Sequence, residues 1–163
     1  MITHTSALAP DPTPAPVPGP EALPLGFAAC GLDGRPQNVS RARRFVLLTL
    51  EGWVLPSLAG DLELVVTELV TNAVRHALGC PDRAVEEAEY PVWLGLSLHP
   101  RHLVAAVTDP SPEPPRPRPV DDLGTGGRGM HLIEALSDTW SWTPAAPRGK
   151  TVWAALLLPT ARS

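Results

Sequence analysis

Residues 57–79, SLAGDLELVVTELVTNAVRHALG, decide how this chain folds. Leu62, Val65, Val66, Leu69, Ala73 and Ala77 recur at three- and four-residue spacings, which makes one apolar stripe on a helix. The helix begins between Ser57 and Asp61 and is stopped by Gly79. A stripe of that width has to be buried against a second layer. The other side carries Glu68, Asn72 and His76, four residues apart and so one above another, with Arg75 beside them.

Upstream, SRARRFVLLTLEGW (40–53) predicts another helix, capped by Asn38 or Ser40, with Ala42, Phe45, Val46, Leu50 and Trp53 inward. Arg41, Arg43 and Arg44 lie mostly off that stripe, either as a solvated face or as a surface for an acidic partner. Gly52 and Pro56 limit its end. Before it, LPLGFAAC (23–30) reads as a short edge strand followed by a turn. Downstream, YPVWLGLSL alternates Val92, Leu94, Leu96 and Leu98 on one face, HPRH turns, and LVAAVT ends at Asp109, which predicts an antiparallel hairpin. A short helix, RGMHLIEAL (128–136), leads into DTWSWT and then TVWAALLL, a central strand. Helices and mostly antiparallel strands in this order predict an α+β fold. Its architecture is a two-layer sandwich with a mixed sheet covered on one face by helices.

The 163 residues, 44% apolar and 18% charged, fit one domain. Proline occupies 21 positions, far above the roughly 5% of an average chain. Eight prolines precede residue 37 and six lie between Pro110 and Pro119. Residues 1–22 therefore read as an extended, mobile tail, and 23–160 as the domain. A net charge of −4 without a basic run argues against direct nucleic-acid binding. No apolar run is long enough to span a membrane, and the expected compartment is the cytoplasm. Cys30 and Cys80 lack metal-ligand spacing and read as reduced thiols. His4, His99, His102 and His131 lack paired spacing and read as surface or turn residues. The five tryptophans suit core strands and one helix better than a base-stacking platform.

Three clusters can carry chemistry. A polar helix face is usually just solvated, but Asn72 can offer a hard carbonyl oxygen to Mg²⁺, and Glu68 one turn away can take a proton. Asp109, at the end of an apolar strand before Pro110, can cap a turn or accept from an exocyclic amine. GTGGRGMHL (124–132) leads glycines straight into a helix, an arrangement that points N–H groups at phosphate. It matches GxGxxG formally, yet a Pro-rich loop rather than a strand precedes it, which argues against a dinucleotide fold. Gly149, Lys150 and Thr151 precede a strand and not a helix, so they are no P-loop; Lys150, the single lysine, is expected exposed at a hairpin tip.

Together and in order, ELVTNAVRHA (68–77), VTDPS (107–111), GTGGRGMHLIEAL (124–136) and GKTVWA (149–154) resemble the histidine-kinase-like ATPases of the Bergerat fold. Within them the chain is similar to small anti-sigma-factor serine/threonine kinases, particularly the short actinobacterial ones. The resemblance implies ATP and Mg²⁺ as cofactors, Glu68 as catalytic base and Asn72 as the metal ligand. It implies Asp109 on the adenine amino group, Gly127 and Gly129 around the phosphates, and Thr151 near the adenine. Arg75, His76, Ser111, Gly124, Gly126, Arg128 and Met130 complete the implied nucleotide-binding set. Ser111 stands where the family's first glycine box has glycine, and the lid, 109–127, holds six prolines that stiffen it. The implied function is that of a kinase acting on a protein partner, a sigma factor or anti-anti-sigma factor, in partner switching. The alternatives are a non-catalytic ATP-binding interaction module and a standalone ATPase. A homodimer through the sheet edge or the helices is compatible with the sequence.

Overall fold

Among the described residues, strand alternation and helical periodicity resolve into nine elements. The computed structural model describes residues 24–33, 35, 37–78, 91–115, 128–146 and 148–159. The side chains of residues 76–78, 128 and 129 are outside that description, as are the expected N-terminal tail, Cys80, His4, the stop at Gly79 and lid residues 116–127.

Strand β1 (Gly26–Leu32) is followed by helix α1 (Asn38–Gly52), a 3₁₀ turn (Pro56–Leu58) and helix α2 (Ala59–Leu78). Strands β2 (Val92–Leu98) and β3 (His102–Asp109), helix α3 (Arg128–Leu136), and strands β4 (Thr139–Pro144) and β5 (Lys150–Leu157) complete the fold. The strands form one sheet in the order β1-β2-β3-β5-β4. All four pairings are antiparallel, so the expected mixed sheet narrows to an antiparallel one. β5 lies between β3 and β4 and is buried along most of its length, as its apolar run TVWAALLL requires of an inner strand.

The three described helices pack on one face of the sheet. α2 crosses β3 and touches α1 and α3 on either side. The expected stripe is buried: Leu62, Val65, Val66, Leu69 and Ala73 meet Leu94, Leu96, Leu103, Val107 and Ala154 of the sheet, with Val70 and Val74 added. Ala42, Val46 and Leu50 of α1 join the same core, while Phe45 and Trp53 are half-buried against it. Among the described residues no helix is long and apolar enough to cross a membrane.

Both ends of α1 depart from simple capping. No side chain caps its start. Asn38 is instead buried in the first turn and uses its amide backwards, on the Asp33 carboxylate and on the Arg35 carbonyl at 2.8 Å. At the other end, Val54 N–H donates to Glu51 O at 3.1 Å and Leu55 N–H to Leu50 O at 2.9 Å. That pair of bonds is a Schellman stop, which places Val54 in the left-handed region at φ 58° where glycine is the favoured residue. Trp93, out of step with Val92, Leu94 and Leu96, is 48% exposed on the face away from the helices.

Candidate functional site

The site lies where the C-terminal half of α2 passes over the adjoining ends of β3 and β5. Strand alternation sends Val107 and Asp109 of β3, and Val152 and Lys150 of β5, toward the helices. Leu69, Asn72 and Ala73 come down from α2, Met130 arrives from α3, and Pro115 closes from the loop after β3. These residues line a small cavity of about 10 Å³, which holds roughly one water. Asn72 donates from its amide nitrogen to the Met130 sulfur at 3.5 Å, tying the two helices across the cavity and leaving its carbonyl oxygen as an acceptor.

Lys150 is the largest surprise. The sequence placed it at an exposed hairpin tip; it is fully buried, and its ammonium donates to Asp109 Oδ1 at 3.0 Å. The side chains of the pair are 1% and 2% exposed. The lysine is the first residue of β5, paired directly opposite Asp109, and the pairing draws it beneath α2. Its ammonium also donates to the Ser111 carbonyl at 3.4 Å. Asp109 closes a tight turn as well, accepting the Ser111 backbone N–H at 2.8 Å. Ser111 is buried, and its hydroxyl accepts from Glu113 N–H at 3.3 Å. Gly149 makes this close approach feasible: φ is +107°, and a Cβ there would fall 2.2 Å from the Asp109 carbonyl oxygen.

The sequence-predicted residues sort as follows. Asn72, Asp109 and Met130 meet at the cavity, with Ser111 bonded to Asp109 beside it. Glu68 is half-buried one turn before Asn72, outside the cavity lining, and Arg75 is exposed. Thr151 is not on the cavity side. Its hydroxyl shares a hydrogen bond with the Thr108 hydroxyl at 2.7 Å, and both are one residue out of step with the inward row. Arg128 and Gly129 open α3, and His76 belongs to α2, but their surroundings are outside the described residues, as are Gly124, Gly126 and Gly127. Among the described residues, no group of three His, Cys, Asp or Glu side chains is arranged to hold a metal. Any Mg²⁺ bound at Asn72 would therefore share its coordination with ligand oxygens and water, which is how that ion is usually held.

The sheet thus carries helices on one face, with Asn72 of α2 above the adjoining ends of β3 and β5. The profile of the histidine kinase-like ATPase domain matches residues 32–156, and the chain belongs to that family. Among solved structures, the RsbU and RsbW domains of Rv1364c from Mycobacterium tuberculosis align with a TM-score of 0.61 at 20% identity, over 85% of this chain. That alignment spans 34% of the Rv1364c chain, so the present chain corresponds to about a third of it. The SiaB–SiaC complex from Pseudomonas aeruginosa aligns with a TM-score of 0.54 at 12% identity, over 82% of this chain and 89% of that one. Identities this low establish the shared fold. No curated protein sequence matches the chain.

Proposed function

We propose that the chain binds Mg²⁺-ATP at the α2–β3–β5 cavity and acts as a serine/threonine kinase of the anti-sigma-factor type on a protein partner. The observation that carries this reading is the convergence of Asn72 and Asp109 on one cavity within a histidine kinase-like ATPase domain. Asn72 offers the carbonyl oxygen for Mg²⁺ alongside the nucleotide phosphates, and Asp109 accepts from the adenine amine. Glu68, a turn from Asn72, takes the proton of a partner serine as that oxygen bonds to the γ-phosphorus and ADP leaves. A sigma factor or anti-anti-sigma factor would be the partner, and partner-switching control of transcription in the cytoplasm the setting.

Isothermal titration of the full chain with Mg²⁺-ATP tests the binding step. Heat with a one-to-one stoichiometry is expected, falling at least tenfold in affinity for Asn72→Ala when Mg²⁺ is present. Absence of heat in the parent chain would remove the assignment. Transfer is read separately, by label passing from γ-labelled ATP to a captured partner: Glu68→Gln should abolish it while leaving ATP binding in place.

One observation favours the alternative of a non-catalytic ATP-binding module. Lys150 already occupies Asp109, and a cavity with room for about one water takes no purine until that ammonium moves. A protein that binds ATP slowly and accumulates no ADP with any partner would fit this reading better.

A further inference from the structure

The sheet has a second face, away from the helices. The register puts Phe27 of β1, Trp93 of β2, Val104 of β3, and Trp153 and Ala155 of β5 on it. No Asp, Glu, Lys or Arg stands at an outward position of any of the five strands. Among the described residues the helices pack on the opposite face, yet Val104, Trp153 and Ala155 are 1%, 3% and 0% exposed and form a core cluster of their own. The cross-strand neighbours of Trp153 are Ala106 and Ser141, too small to enclose an indole. Its buried Nε1–H has no acceptor among the described residues, and an unanswered buried donor of that kind is costly.

We propose that the chain's own segment PDPTPAPVPGP, residues 10–20, docks across this face as a polyproline-II strand. Proline at every second position from 10 to 20 favours that conformation, whose backbone carbonyls have no partners within the segment. Such a segment supplies what the face lacks, an acceptor for the Trp153 N–H and pyrrolidine rings to lie on aromatic side chains, as proline-rich ligands do in aromatic-lined grooves. Phe27, 67% exposed, and Trp93 flank a shallow floor at Gly95, above which the Phe27 ring lies.

Reach and charge agree with this occupant. The segment ends five residues before β1, an edge strand, and eleven residues at about 3.1 Å each extend ~34 Å. The five strands, at about 4.8 Å spacing, are only ~19 Å across. Residues 1–23 contain no lysine or arginine, and Asp11 is the one charged side chain of residues 10–20, so the segment brings a single carboxylate near its start, and no cation, onto an uncharged surface. The inference rests on the sheet and stands apart from the ATP assignment.

The test uses the full chain in two forms. A photoreactive benzophenone residue replacing Pro16 should crosslink within one chain to peptides of β2, β3 or β5. Crosslinks that join two chains would assign the face to a second copy, and crosslinks only elsewhere would remove the segment from it; either overturns the proposal. In parallel, the Trp153 indole N–H resonance, identified by its loss in Trp153→Phe, should exchange with solvent at least tenfold faster once the six prolines from 10 to 20 are replaced by serine. A peptide of residues 8–22 added in trans should restore the slow exchange. Unchanged exchange in the serine variant would also overturn the proposal.

Discussion

Lys150→Met removes the ammonium from Asp109 and keeps an unbranched side chain of similar length in its place. The Asp109 carboxylate then stays in a site where its side chain is 2% exposed, with the Ser111 N–H at 2.8 Å but without the 3.0 Å ammonium contact. Removing one member of a buried pair costs about 3–5 kcal/mol, because the remaining charge keeps its desolvation penalty. At about 2–4 °C per kcal/mol for a domain of this length, the midpoint should fall by roughly 6–20 °C. Replacing both members, Asp109→Asn with Lys150→Met, removes the stranded charge and should return stability to within about 1 kcal/mol of the parent. Urea unfolding of the parent, both single variants and the double variant measures the coupling. A Lys150→Met loss below about 1 kcal/mol, or a double variant equal to the sum of the singles, would show that the pair is not held as described. The exposed Arg43–Glu63 contact, 3.5 Å with the arginine 55% exposed, is the internal control: Arg43→Ala should change stability by about 0–1 kcal/mol.

Gly149→Ala should destabilise by about 1–3 kcal/mol in the same urea assay, since the added carbon meets the Asp109 carbonyl and φ is +107°. Val54→Gly should do the opposite, raising the midpoint by about 3 °C through relief of roughly 1 kcal/mol of left-handed strain at the Schellman stop, read by thermal unfolding. The Asn38 amide and then the Arg35 N–H hold the Asp33 carboxyl below its ordinary range. A group whose folded pKa is depressed contributes above its unfolded value and loses that contribution as pH falls through the folded one. The stability difference between parent and Asp33→Asn should therefore be present at pH 6 and shrink below about pH 4, as urea titrations at both pH values would record. Lys150 is the chain's single lysine and is fully buried, so amine-reactive labelling there should be slow in the free protein. If adenine takes its place on Asp109, Mg²⁺-ATP should accelerate that labelling, as mass spectrometry of the 149–159 peptide would show.

The helix under Glu68 and Asn72 was legible because its stripe is a local pattern: burial of Leu62, Val65, Val66 and Leu69 follows from spacing alone. The hairpin of β2 and β3 was legible for the same reason, two alternating runs separated by a short turn. The central place of β5 was legible from its apolar run, but its partners β3 and β4 were not, since nothing local says which strand a closing apolar run will pair with. Lys150 shows the boundary most sharply. Turn residues around it predict a solvent-facing tip, whereas the residue that buries it lies 41 positions earlier. One signal was available. Counting in twos back from Leu156, Ala154 and Val152 puts Lys150 on the buried row and Thr151 on the other, the same parity that aims Asp109 inward from Val107.

That parity bears on what the site can do. If the adenine amine takes Oδ1 of Asp109, where the Lys150 ammonium now donates, nucleotide binding at this cavity would be an exchange and not an addition. In such an exchange the ammonium would regain water, and Lys150, as the first residue of β5 and next to Gly149 at φ +107°, stands at the end of the ladder and not inside it. What the exchange loses is the charge on one partner: a neutral amine replaces an ammonium on a buried carboxylate, and hydrogen bonds to charged donors are the stronger ones. ATP affinity in this chain should therefore be lower than its buried apolar walls alone would give. Lys150→Met is the variant that separates the two readings of the site. If it binds Mg²⁺-ATP more tightly than the parent despite its lower stability, the lysine is a competitor for the base; if it binds no better, Asp109 serves the fold and the nucleotide reading of that carboxylate fails.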